Sequence, residues 1–444
     1  MVKTKNYYQN LVSHIRKKSN NLSNQRDFFA IGLVSCLDKI IEWKPSGLQK
    51  TLGQEPDVKV RSSLPDKVRT SKDFLELIVT SLEKGKGDDI PITAESVCEY
   101  VEKIFQTRSS LGGTGAQAAK ALSRLSFPVL FHYSTLYKEV KELLSSRFLY
   151  TISRNGKPVK IGQFYDHKNY PYEPHYIFQF EQGDSITIDS NTITAPRANR
   201  VIVPYDETNN VLSIRENYFD YILENLDSIR TLALSGFNTI RDEAVLSRRI
   251  DTIRPYLREI LNRREHPLIY LEDAAYHVPE YKALVLQELG DLLDVFSLNE
   301  EELASLVSVA GESLDISQPS EVVRELSHLS REYSISSIVM HSKHYSTYYG
   351  CELDTNIGRA LACGNLMAGT KAMLGNYGTL EDLKRNVDLA ESQKGVEFAA
   401  KASELSTDQK LVAVPAKSIS SIDSSVGLGD TFMAGMQIFL VNST

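Results

Sequence analysis

The 444-residue chain is short of cysteine and tryptophan, with four of the first and one of the second, and it has no long apolar run. Cys36, Cys98, Cys351 and Cys363 lie far apart and form no CxxC pair. That spacing argues against a disulfide framework or a zinc site and fits a reducing compartment. No stretch approaches the roughly 18–20 apolar residues that span a bilayer. The first residues, MVKTKNYYQNLVSHIRKKSN, are polar and basic and lack the apolar run of a signal peptide. A cytoplasmic protein is expected, with no membrane partner. Positive charge is in the minority as well: 50 Lys and Arg stand against 57 Asp and Glu, a net charge of −7. Nucleic acid is therefore not expected as a partner. The GxxxxGK[ST] phosphate loop and the HRD and DFG signatures are also absent.

What the chain does have is alternation of strand and helix patterns. FFAIGLVS from Phe28, PVLFHY from Pro128, PLIYLE from Pro267, SISSIVMHS from Ser334 and KLVAVP from Lys410 are short, β-branched, apolar runs. Such runs mark strands buried on both faces. Between them, ENYFDYILENLDSIR repeats Phe219, Ile222, Leu226 and Ile229 at spacings of three and four. SEVVRELSHLSREY and TNIGRALACGNLMAGTKAML carry the same helical period. Alternating strands and helices predict an α/β fold with a central, mostly parallel sheet covered on both faces. The length exceeds what one core usually serves, so a smaller second domain is expected.

Two stretches break the rhythm. From about Glu42 to Asp89 the chain is polar with scattered Pro and Gly, and from about Phe148 to Asp206 it turns β-rich. Asn155-Gly156 in FLYTISRNGKPVKIG and Gly183-Asp184 in HYIFQFEQGDSITI are hairpin signals. Neither stretch is expected to carry a long helix. Residues 42–110 and 148–206 are read as a discontinuous, β-containing small domain. Residues 1–41, 111–147 and 207–444 then form the large one.

The strongest chemical signal is Ser425-Val426-Gly427-Leu428-Gly429-Asp430-Thr431-Phe432. It follows the KLVAVP strand and opens a helix of small residues. Glycines before a helix let backbone N–H groups approach an anion, and the helix N-terminus adds partial positive charge. Such a cradle suits a phosphoryl group in transfer. Asp430 would accept a proton from the attacking hydroxyl. The competing reading is a plain helix cap, for which Asp is a favoured residue.

VGLGDTF resembles the GxGD signature of ribokinase-like kinases. Further blocks narrow the resemblance to the ADP-dependent glucokinase/phosphofructokinase family. They are Ser110-Leu111-Gly112-Gly113-Thr114-Gly115-Ala116, Ala195-Pro196-Arg197-Ala198-Asn199-Arg200, Leu234-Ser235-Gly236-Phe237-Asn238 and Ile338-Val339-Met340-His341-Ser342-Lys343. They occur in the family's order from about Phe28 to Leu440. The resemblance implies a ribokinase-like large domain with a β-rich lid, ADP as phosphoryl donor and Mg²⁺ as cofactor. It implies Asp430 as base, with Gly427 and Gly429 in the anion cradle. Glu272 would help place Mg²⁺, although Tyr270 stands where the family has His. Asp38 would grip sugar hydroxyls, with Cys36 in place of the family's Asn. Gly112 and Gly113 would let backbone amides approach the sugar, and Asn238, where the family usually has Gln, would contact the substrate or the nucleotide. His341, Val426, Gly427 and Leu428 would line the nucleotide.

Two acceptors stay open. Arg197, Arg200, Lys160 and Lys168, in or beside the lid strands, suit the phosphate of fructose 6-phosphate. Asp89, in Lys86-Gly87-Asp88-Asp89, suits the hydroxyls of glucose and would repel a phosphate. The partners are thus a small sugar and a nucleotide, while the oligomeric state is not legible. The rivals are an ATP-dependent kinase of the same superfamily and a catalytically weak sugar- or nucleotide-binding sensor.

Overall fold

The computed structural model describes residues 5–25, 27–55, 57–166, 170–188, 191–309, 314–421, 423 and 426–440. Ser425, the first residue of the glycine motif, and Lys168 lie outside them. The strands are β1 (Phe28–Ile31), β2 (Cys36–Glu42), β3 (Gln106–Gly112), β4 (Val129–Phe131), β5 (Leu149–Ile152) and β6 (Pro158–Lys160). They continue with β7 (Pro174–Phe180), β8 (Ser185–Ile188), β9 (Asn191–Thr194), β10 (Asn199–Pro204) and β11 (Ile229–Leu234). The last five are β12 (Leu268–Glu272), β13 (Val295–Asn299), β14 (Ser337–His341), β15 (Tyr345–Gly350) and β16 (Lys410–Pro415).

Ten of these form one sheet in the order β16-β15-β14-β13-β12-β11-β1-β4-β5-β6. From β5 to β14 neighbours run parallel, and only β6 at one edge and β15 and β16 at the other are antiparallel. Four of the five apolar runs occupy its interior, where both faces are covered, and KLVAVP forms the edge strand β16. Phe29 and Ile31 of β1 point into one core with Tyr270 and Val339. Phe28 and Ala30 point into the other with Leu232, Ile269 and Ile338. Successive residues alternate between the two cores, the two-residue period of a strand.

A second sheet, β10-β7-β2-β3, has its own core of Phe74, Leu77, Ile78, Tyr176, Phe178 and Val201, among others. The chain enters it directly from β1: residues 32–35 lead into β2, and Ser35 is pinned by Ser134 Oγ to its amide at 3.0 Å and by its own hydroxyl to the Thr135 carbonyl at 2.6 Å.

Three expectations change. Phe148 onward is not part of the second sheet: β5 pairs with β4 and β6 with β5, extending the large sheet. The Asn155-Gly156 turn is where the sequence puts it, with Gly156 at φ +74°. The sheet that takes the hairpin depends on a free edge far away in sequence, which no local pattern reports. Gly183-Asp184 likewise turns the chain, with Gly183 at φ +93°, yet the strands beside it do not pair with each other. β7 takes β10 and β2, whereas β8 takes β9. Finally, the 42–110 stretch does carry a long helix, Ser71–Lys84. Thr70 and Asp73 form a capping box there, a legible start signal that Phe74, Leu77, Ile78 and Leu82 follow at helical spacing.

Candidate active site

The glycine motif follows β16, the edge strand of the large sheet. The helix it opens runs Leu428–Leu440, so Asp430 is its third residue rather than its cap. Thr431 closes the first turn by donating both its amide, at 3.1 Å, and its hydroxyl, at 2.9 Å, to the Gly427 carbonyl. Asp430 is thus free to face outward from the turn, where the Thr114 hydroxyl meets it. Thr114 opens the helix Thr114–Arg124 behind the Gly112-Gly113 turn. Two helix N-termini therefore converge on one point, and both favour negative charge there.

A buried cation completes this floor. Lys371, on the helix Ile357–Leu374, is 4 % exposed and donates to Gln117 Oε1 at 2.5 Å. Burial lowers its pKa to about 8, against the pull of the Asp430 and Asp38 carboxylates. Burial raises Asp430, and the Glu272 charge adds to that, while Lys371 and the Thr114 hydrogen bond oppose it. Gly427, at φ +69°, presses its backbone onto this pair: a side chain there would meet Gln117 Oε1 at 1.9 Å and Lys371 Nζ at 2.5 Å. Sequence reading missed Lys371 and Gln117. Nothing in TKAML or AQAAK distinguishes them from ordinary helix residues.

On one side of Asp430 stands a carboxylate group. Glu272 ends β12, 5 % exposed, and His341 ends β14, with its Nε2 3.0 Å from Glu272 Oε1. Tyr270 donates its hydroxyl to Glu272 Oε2 at 2.9 Å. The tyrosine that replaces the expected histidine thus still holds the carboxylate. Burial would lower the His341 pKa, but the hydrogen bond and charge of Glu272 more than offset it. Glu302 is raised to about 8 by burial, with the Asp273 and Glu272 charges adding to it. His341 therefore faces the carboxylate, with its ring against Phe432 at 4.6 Å between centroids, rather than an open nucleotide pocket. Gly429 passes close to both, with a Cβ position 3.2 Å from His341 Cε1 and 3.8 Å from Glu272 Oε1. Carboxylate oxygens in this number match the hard-ligand preference of magnesium.

On the other side the second sheet supplies Asp38. It lies on β2 opposite Ser110 of β3 and His175 of β7. Burial raises its pKa to about 6; His175 and Lys371 oppose that rise, whereas the Asp430 charge adds to it. Asp38 and Asp430 thus face each other across the cleft between the sheets. Gly112 has to lack a side chain: a Cβ would stand 2.2 Å from Asp38 Oδ1 and 2.5 Å from Cys36 Sγ. Asp89 joins from the edge, bridged to Ile202 of β10. It shares the fields of His175, Arg241 and Asp206, and burial raises it to about 6. Its Oδ1 is buried with no hydrogen-bond partner, the mark of a group waiting for a ligand.

His175, Asp206 and Arg241 were not legible as site residues. His175 Nε2 meets Asp206 Oδ2 at 2.7 Å, and Arg241 meets His277 Nε2 at 3.2 Å. The remaining candidates sit at the margins. Asn238 donates to the Ala275 carbonyl at 3.2 Å, holding the loop after β12. Arg197 donates to the Gly85 carbonyl at 2.8 Å and so braces the turn after Ser71–Lys84. Val426 and Leu428 flank Gly427 at the start of the helix. A separate cavity of about 630 Å³, lined by His14, Lys18, Asn356, Arg359 and Phe439, contains none of these groups.

A mostly parallel sheet, a glycine turn opening a helix and a second sheet with its own core are the frame in which these groups meet. The family described as "ADP-specific Phosphofructokinase/Glucokinase conserved region" matches residues 28–439, and the chain belongs to this family. It is 26 % identical over 401 residues to an ADP-dependent glucose/glucosamine kinase of Pyrococcus furiosus, covering 85 % of this chain and 86 % of that one. It is 24 % identical over 417 residues to an ADP-specific phosphofructokinase of Thermococcus litoralis, covering 87 % and 90 %. Its fold is similar to that of a phosphofructokinase from Pyrococcus horikoshii solved with AMP, with a TM-score of 0.77 at 19 % identity over 93 % and 97 % of the two chains. An ADP-dependent kinase solved with fructose 6-phosphate and an ADP analogue gives 0.74 at 17 % identity over 96 % and 97 %. Among the described residues, no helix is long and apolar enough to cross a membrane.

Proposed function

We propose that this chain is a cytoplasmic sugar kinase that moves the terminal phosphoryl group of magnesium-bound ADP to a hydroxyl of an unphosphorylated hexose. One observation carries the reading: the Asp430 charge acts on Asp38, and both carboxylates act on the buried Lys371 ammonium. Asp38 accepts hydrogen bonds from sugar hydroxyls and holds the acceptor in place. Asp430 takes the proton of the attacking hydroxyl, and its raised pKa suits a base that must later give that proton up. The amides at Gly427 and Gly429 and the helix N-terminus behind them favour the outer phosphoryl oxygens. The Lys371 ammonium balances negative charge that gathers on the floor during transfer.

Glu272 would hold magnesium, with Glu302 behind it and His341 and Tyr270 fixing the carboxylate. Bound there, the metal would draw charge from the phosphate oxygens.

The choice of an unphosphorylated hexose rests on Asp89 with Asp38 and Asp206. Three carboxylates line the acceptor side, with His175, Arg241 and Lys371 as the cations that act on them. Arg197, expected to bind a sugar phosphate, is committed to Gly85. A phosphate dianion would add charge of the same sign as these carboxylates. The weak-paralogue reading loses support because Tyr270 performs the anchoring that its departure from the family pattern put in question.

The test is a screen of ADP and ATP against glucose, glucosamine, fructose and fructose 6-phosphate, read by sugar phosphate formed. Turnover with ADP and an unphosphorylated hexose is expected. Preference for ATP, or for fructose 6-phosphate, would overturn the corresponding half of the reading.

A further inference from the structure

We propose that Cys36, Asp38 and His175 form a binding site for a thiophilic divalent metal, zinc foremost, which blocks the acceptor cleft when filled. The three ligand atoms all lie within 4.8 Å of one another. Cys36 Sγ is 3.8 Å and His175 Nδ1 4.0 Å from Asp38 Oδ1. Tetrahedral zinc, with bonds of about 2.0–2.3 Å, needs its ligands roughly 3.3–3.7 Å apart, so the two pairs at Asp38 need close by only a few tenths of an ångström, and side-chain rotation has to bring the sulfur and the imidazole to the same spacing. The register explains why they meet. Cys36 and Asp38 are two apart on β2 and share a face, and His175 of β7 pairs with Asp38.

The histidine is already oriented for a metal. Its Nε2 meets Asp206 Oδ2 at 2.7 Å, which leaves Nδ1 aimed at the sulfur and at Asp38. A carboxylate behind the ligating imidazole is the arrangement that fixes the tautomer in zinc sites. Asp206 is itself held by Asn209, whose side chain donates to the same oxygen at 2.5 Å.

Ligand chemistry points the same way. A thiolate and an imidazole are ligands that magnesium does not take. This site and the Glu272 site thus sort the two metals by softness. Three protein ligands leave a fourth position on the cleft side, where His175, the least buried of the three, borders the opening.

The metal site stands on its own geometry; its effect on catalysis rests on Asp38 being the acceptor's ligand. The test is a cobalt and zinc titration of the full-length, chelator-treated protein with magnesium present throughout. One cobalt ion per chain should bind, with a thiolate-to-cobalt absorption band in the near ultraviolet, and zinc should displace it. Cys36→Asn should abolish the band and Cys98→Ser should keep it. His175→Gln serves as the second variant and should shift or remove it. Absence of the band from the parent protein, or an unchanged band in both Cys36→Asn and His175→Gln, overturns the site. In kinetics, zinc should raise the hexose KM severalfold without lowering kcat, and phenanthroline should restore it. A band together with inhibition that hexose does not relieve would overturn the blocking role alone. An intact band on adding cobalt, with no turnover on any sugar in the magnesium-supplied protein before zinc or cobalt is added, would count against the kinase reading and not against the metal site.

Discussion

Asp430 and Lys371 test the chemistry at the scale of single side chains. Removing the base while keeping its shape, as in Asp430→Asn, should lower kcat by about a hundred- to ten-thousand-fold. Hexose affinity, read by calorimetry, should hardly change. Retained turnover would mean that the carboxylate only shapes the turn. Lys371→Met gives the sharper result, because the direction of its effect follows from the charges. The ammonium lowers the Asp430 pKa. Without it the base holds its proton to higher pH, so the acidic limb of kcat/KM should move upward. A downward or absent shift would contradict the placement. In the parent enzyme Lys371 itself loses charge near pH 8, so kcat should also fall above that pH. Gly112→Ala pushes a methyl group onto Asp38 and Cys36, an overpacking of about 1–3 kcal/mol that should appear mainly in the hexose KM. Much of this floor was invisible in the sequence. The glycines and Asp430 are consecutive and announce themselves. Lys371, Gln117 and His175 are single polar residues on three separate elements, and only the packing of those elements brings them into one cleft.

Among the secondary-structure elements, legibility divided along a physical line. Strands β1, β4, β12 and β14 were readable because both faces are buried, so apolar residues run unbroken; β16 was readable from its apolar run although it is a half-buried edge strand. Ser71–Lys84 went unread although its start is explicit. Thr70 accepts from the Asp73 amide and Asp73 answers to the Thr70 amide. The polar chain before it, from about Glu42, hid the change of pattern. Thr70→Ala should remove the box and cost about 1 kcal/mol. The loss should appear as a lower melting temperature, with kcat measured well below the melt left nearly intact. The helix backs the second sheet through Phe74, Leu77 and Ile78 and contributes no group to the cleft. A large fall in kcat from this substitution would show that the helix takes part in positioning the acceptor.

At the scale of the whole molecule, the cleft is made by two sheets with separate cores, and what joins them decides how the site closes. The base, the carboxylate group and the buried lysine belong to the large sheet and its helices; Asp38, His175 and Asp89 belong to the smaller sheet. The two halves meet through charge, with the Asp430 carboxylate adding to the rise of the buried Asp38. A hexose that donated hydroxyl hydrogens to both carboxylates would relieve the repulsion left between them and draw the sheets together. Closure would then exclude water from the phosphoryl group and limit hydrolysis of the nucleotide. Adding glucose and a non-transferable ADP analogue should therefore reduce the radius of gyration measured by X-ray scattering, and Asp38→Ala should abolish the reduction while leaving nucleotide binding in place. A contraction that nucleotide alone produces, and that survives Asp38→Ala, would move the trigger for closure from the acceptor to the donor.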